Sequence, residues 1–166
     1  MMRRRVLTAG ALATLLAGCG FKLRGAQNFA FKTVAVTPEF GGAVAAELAR
    51  YLGDAIRPVA PAAGGQLPEA IVDILQELRE KTVVAVNASG QVREFQLRIR
   101  VQFKMRTPQG VELIPTTEIV QQRDISFNES AVLAKEAEEV LLFRDMQTDI
   151  VQQLLRRIAA VKTLTP

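Results

Sequence analysis

A chain of 166 residues with 49% hydrophobic and 23% charged residues has the material for one domain with a buried core. Its 21 lysines and arginines exceed its 17 acidic residues, but Arg3, Arg4 and Arg5 lie in an N-terminal segment expected to be removed, which leaves 18 basic against 17 acidic side chains. That near-neutral balance removes the support for a general nucleic-acid binder. The absence of histidine removes the usual general base and the commonest metal ligand.

Residues 1–18 have the three parts of a secretory signal peptide. Arg3 to Arg5 form the positive region, Val6 to Leu16 an apolar run of eleven residues, and Ala17 and Gly18 a small-residue end. The run is too short to span a bilayer comfortably. The sole cysteine follows at once in Leu16-Ala17-Gly18-Cys19. This stretch resembles the bacterial lipobox, which implies a diacylglycerol and an N-acyl chain on Cys19 and a mature chain that starts there. Two or more acyl chains give stable anchoring, at about 0.8 kcal/mol per buried methylene. In such lipoproteins an aspartate after the cysteine marks retention in the inner membrane. Gly20 stands there, so the resemblance implies the outer membrane, on its periplasmic side.

Residues 19–31 read as a lipid-anchored tether and residues 32–162 as the folded domain. Val34 and Val36 share one side of an alternating stretch, Lys32 to Thr37, which predicts a strand ended by Pro38. Val44, Leu48, Tyr51, Leu52, Ala55 and Ile56 recur at helical spacing and predict a helix stopped before Pro58. Ala60 to Pro68 is a loop. Three long extended segments follow, Glu69 to Val86, Gln91 to Arg106 and Val111 to Phe127, joined by the turn signals Asn87-Ala88-Ser89-Gly90 and Thr107-Pro108-Gln109-Gly110. Pro115 predicts a bend or bulge in the last of them. Asn128 or Ser130 can cap a final helix running to about Val161, with Val140, Phe143, Ile150, Leu154, Ile158 and Val161 on its apolar face. The order β-α-β-β-β-α predicts an α+β fold, two helices packed on one face of a four-stranded, mostly antiparallel sheet. The other sheet face is then open.

Catalytic chemistry lacks its parts, and the chain is expected not to be an enzyme. An acylated Cys19 offers no thiol nucleophile and no thiolate metal site. Glu136, Glu138 and Glu139 read as a solvated helix face, and no glycine run has phosphate-loop spacing. No metal and no cofactor other than the lipid on Cys19 is expected.

The second long strand is the most informative segment. Phe95, Leu97, Ile99, Val101, Phe103 and Met105 alternate with Gln96, Arg98, Arg100, Gln102, Lys104 and Arg106. Alternation turns the first set toward the helices and the second toward the open face. Arg98, Arg100, Lys104 and Arg106, with Arg93 near the strand start, thus form a row of donors for phosphate or carboxylate groups. Such a row also serves as a solvated face that discourages edge association, or meets acidic groups of a protein partner.

The opening Gly18-Cys19-Gly20-Phe21-Lys22-Leu23-Arg24-Gly25 resembles the start of the mature LptE family, lipoproteins of lipopolysaccharide assembly, with Lys22 where histidine is frequent. Gly90-Gln91 with Glu94-Phe95-Gln96-Leu97, and Leu133-Ala134-Lys135 at the head of the last helix, are similar to the family as well. The resemblance implies a plug within the lumen of LptD, a large outer-membrane β-barrel, that assists barrel assembly and binds lipopolysaccharide. It implies a lipopolysaccharide contact at Lys135. Ala88 and Ser89 stand at a second basic position of the family, and Arg93 is near enough to substitute for it. A generic envelope scaffold using the same sheet face for another protein is the alternative. A lipid carrier fits less well, because the apolar faces are sized to bury one another.

Overall fold

Three strands of unusual length form most of the sheet, and the central one carries the core. The computed structural model describes residues 27–39 and 41–164. In chain order these form β1 (Val34–Thr37), α1 (Ala43–Leu52), a 3-10 turn (Gly53–Ala55), β2 (Ala70–Val86), β3 (Val92–Arg106), β4 (Glu112–Ser126), a second 3-10 turn (Glu129–Ala131) and α2 (Val132–Ala160). The signal peptide, Cys19 and the opening Gly18–Gly25 lie outside the described residues. The sheet order is β1-β2-β3-β4. The crossover through α1 makes β1 parallel to β2, and the two hairpins make β2, β3 and β4 antiparallel.

The two hairpins close alike. Asn87 N donates to Gln91 O at 2.9 Å and Gly90 N to Asn87 O at 3.0 Å; Thr107 N donates to Val111 O at 2.8 Å and Gly110 N to Thr107 O at 3.0 Å. Gly90 and Gly110 have φ of 80° and 92°, the left-handed conformation that ends such three-residue loops. The register of β3 against β4 shifts around Pro115, as its missing N–H requires. The irregularities of β2 against β3, between Ile74 and Gln76 and twice between Val83 and Val86, had no such signal.

Alternation along β3 holds over its central stretch. Leu97, Ile99, Val101, Phe103 and Met105 are fully buried against the helices, and the residues between them are half-buried on the open face. Val44, Leu48 and Leu52 of α1 and Met146, Ile150, Val151, Leu154, Leu155 and Ile158 of α2 supply the other side of the core. Phe31 is buried as well and stacks on Phe29, with ring centroids 5.0 Å apart. Packing onto the domain thus begins within the segment read as a tether.

α1 is positioned from the sheet. Glu77 of β2 accepts from Val44 N at 3.0 Å, a carboxylate at the positive end of the helix. Gly42, at φ 80°, allows this approach, because a Cβ there would stand 2.9 Å from Glu77 Oε2. The buried Glu47 then ties α1 to α2, accepting from Gln147 Nε2 and, at 2.9 Å, from Thr148 Oγ1.

Two expected core positions are not in the core. Tyr51 is exposed and lines an open cleft between the helices. Val140 is exposed because α1 begins beside Gln147, whose amide donates to Ala43 O at 3.4 Å, so its ten residues cover only the later part of α2. Val151 and Ile158, on the same helical row as Val140, are buried.

Candidate functional site

The structure separates the cations singled out in the sequence into two groups on opposite faces of the sheet. Arg98, Arg100, Lys104 and Arg106 line the open face, as alternation requires. Register places carboxylates beside them. Arg100 lies across from Leu78 on β2 and Val120 on β4, whose apolar side chains flank its stem. Its guanidinium reaches Glu80 at 3.5 Å and Glu118 at 3.9 Å. Arg106 Nε donates to Asp73 Oδ2 at 2.8 Å. Arg98 donates to Gln96 Oε1 at 3.0 Å, and Gln96 in turn donates to Asp124 at 3.1 Å. The face is therefore a mixed-charge lattice, not a bare cationic strip. Lys104, opposite Asp73, is the member of the row for which no side-chain acceptor lies within hydrogen-bond reach among the described residues.

Lys135 lies on the helix-covered side, at the end of the sheet near the β2–β3 hairpin. Asn128 positions the start of the helical segment, its Oδ1 accepting from Ser130 N at 3.0 Å. One turn further on, Lys135 Nζ donates to Ser126 Oγ at 3.0 Å and to Glu138 at 2.8 Å. Lys81 of β2, opposite Leu97 and so on the same side, reaches Glu139 at 2.6 Å and stands 4.3 Å above the Phe95 ring. Phe95 meets Phe127 edge to face at 5.2 Å. Together Lys81, Phe95, Ile125, Ser126, Phe127, Val132, Lys135, Glu136 and Glu139 line a cavity of about 220 Å³. Two ammonium groups above an aromatic floor suit a ligand that joins an anionic group to an apolar one. Arg93 shares alternation with Phe95, and its exposed position lies one residue pair nearer the hairpin.

Sequence reasoning missed Lys81. Its signal was a cation on a helix-facing position of β2, beyond the stretch where that face is apolar. It becomes a partner of Lys135 only through the register of β2 with β3 and the placement of α2. Among the described residues no cluster of three or more His, Cys, Asp or Glu could hold a metal. No helix among them is long and apolar enough to cross a membrane.

The family model described as LptE, lipopolysaccharide-assembly, matches residues 26–158. The chain is 25% identical over 166 residues to the LPS-assembly lipoprotein LptE of Pectobacterium atrosepticum, covering 96% of this chain and 88% of that protein. It is 29% identical over 176 residues to that of Yersinia enterocolitica, covering 96% and 78%. Among solved structures it is similar to an uncharacterized lipoprotein B of Nitrosomonas europaea, with TM-score 0.69 and 38% identity over 85% of this chain and 91% of the other. The rare lipoprotein B of Shewanella oneidensis shares the fold, with TM-score 0.60 and 19% identity over 77% and 92%.

Proposed function

The chain belongs to the LptE lipopolysaccharide-assembly family, and from that premise we propose that its mature form is an outer-membrane lipoprotein that plugs the barrel of an LptD partner. There it helps the barrel assemble and takes part in moving lipopolysaccharide into the outer leaflet, without enzymatic turnover. The observation that carries this reading is the extent of the family match. Residues 26–158 include all four strands and nearly all of both helices, so the whole domain and not a grafted motif is at issue.

The surface chemistry supports the same reading. The open sheet face sets acids beside cations across its strands, with Leu78 and Val120 flanking Arg100, a mixed-charge surface that suits a wide polar barrel lumen. A diacylglycerol and an N-acyl chain on Cys19 hold the domain at the periplasmic side of the membrane, and no other cofactor is needed. Lipopolysaccharide, with phosphate and carboxylate groups beside an apolar anchor, has the chemistry of the Lys135 cavity. Lys135 and Lys81 are the first contacts in this proposal, with Arg93 at the rim. Arg98, Arg100, Lys104 and Arg106 form a second set on the opposite sheet face, away from the aromatic floor of the cavity.

Purification of the tagged full-length protein from detergent-solubilised outer membranes tests the plug reading. A large β-barrel recovered in equal amount is expected. Recovery of the lipoprotein alone, or with another envelope protein in place of a barrel, overturns it.

A further inference from the structure

The early part of α2 bears an apolar row that no element among the described residues covers. Leu133, Val140 and Leu141 are 82%, 67% and 59% exposed. Their spacing puts them on one side of the helix together with Arg144, eleven residues and about 17 Å beyond Leu133. This row ends at the cleft of about 610 Å³ between the helices, where Arg144 of α2 faces Arg50 and Tyr51 of α1. The floor of the cleft is satisfied internally, since Glu47 already accepts from Gln147 and Thr148. Its two arginines are not so satisfied. Of the other cations on the helix-covered side, Arg79, Lys81, Arg123 and Lys135 each have a carboxylate. Among the described residues Arg93 has none, Arg157 lies over the Phe103 ring without one, and neither Arg50 nor Arg144 has one within ion-pair distance. What sets Arg50 and Arg144 apart is that they line one cleft together.

Two guanidinium groups contributed by two helices make a fork for a carboxylate, and the Tyr51 ring adds an apolar wall. A free anion would make no use of the apolar row leading to it. An acyl chain needs an enclosing groove, whereas this row is the convex side of a helix. The side chains of a protein segment can lie along such a ridge and place an acid at its end. We infer that the ridge of α2 and the cleft at its end dock a protein segment with apolar side chains along Leu133 to Leu141 and an aspartate or glutamate between Arg50 and Arg144. This surface borders the Lys135 cavity along α2, runs away from it to the cleft of Arg50 and Arg144, and is apart from the open sheet face; the inference does not rest on the barrel reading.

The test uses the full-length protein in its own envelope, with a photo-reactive amino acid in place of Leu141 or of Tyr51, both exposed. Both positions are expected to cross-link to one segment of one protein, with an acidic residue at the Tyr51 end. Arg50→Glu with Arg144→Glu should lower the Tyr51 cross-link at least tenfold, and reversing the partner's acid to lysine should restore it. Arg50→Gln with Arg144→Gln is the milder pair, and an unchanged thermal unfolding midpoint shows that either variant is folded. Cross-links to glycolipid, to a segment without a carboxylate or to nothing, or a yield indifferent to both variants, overturn the inference. The barrel reading fails separately, through the absence of a barrel in the purification of the unaltered chain.

Discussion

Arg106 of β3 donates to Asp73 of β2 through Nε, 2.8 Å from Oδ2, and through Nη2, 3.4 Å from Oδ1. The hydroxyl of Thr37 on β1 donates to the same Oδ1 at 2.8 Å. One carboxylate, 8% exposed, thus links three strands at the end of the sheet where β1 is only four residues long. Asp73→Ala leaves a half-buried guanidinium and a hydroxyl without their acceptor. We expect a loss of about 2 kcal/mol in chemical denaturation, and a smaller one for Asp73→Asn, which keeps one acceptor oxygen. A change below about 0.5 kcal/mol for the alanine variant would mean that water replaces the carboxylate there.

Phe103 and Val140 separate the two halves of the helix layer. Phe103 is fully buried near the end of β3, whereas Val140 stands on the uncovered part of α2. Phe103→Ala should cost about 3–5 kcal/mol through lost burial and the cavity left behind. Val140→Ala should stay within about 0.5 kcal/mol. Comparable losses at the two positions would show that the early part of α2 is covered after all.

Lys81 and Lys135 should act together on lipopolysaccharide. In direct binding to the purified full-length protein, Lys81→Ala with Lys135→Ala is expected to weaken affinity about tenfold, which corresponds to roughly 1.4 kcal/mol. The remaining binding should depend less on salt, because two charges have gone. Arg100→Ala should change affinity less than about twofold, since Arg100 lies on the open sheet face, away from the cavity that Lys81 and Lys135 line. The opposite ranking would move the glycolipid contact to the open sheet face.

Cys19→Ala removes the proposed attachment point of the lipid. The variant should no longer incorporate labelled acyl chains, and any membrane association left to it should run through the barrel partner alone. Acyl-dependent membrane association that survives the substitution would refute lipid attachment at Cys19.

Sequence alone determined the order of elements, both hairpin turns and the inward side of β3, because each depends on local chemistry. Alternation at a period of two sorts Leu97 to Met105 from Arg98 to Arg106 wherever the pairing lies, and a glycine in the fourth turn position marks each hairpin. The bend at Pro115 was legible for the same reason, a missing donor. Only the tertiary structure decided which charges meet. That Arg100 stands between Glu80 and Glu118, and that Lys81 shares a cavity with Lys135, depends on register between strands distant in sequence and on where a helix lands. The same holds for Val140. Its place on an apolar helical row was visible in the sequence, but whether that row is covered depended on where the short α1 begins, and Glu77 and Glu47 hold that start beside Gln147.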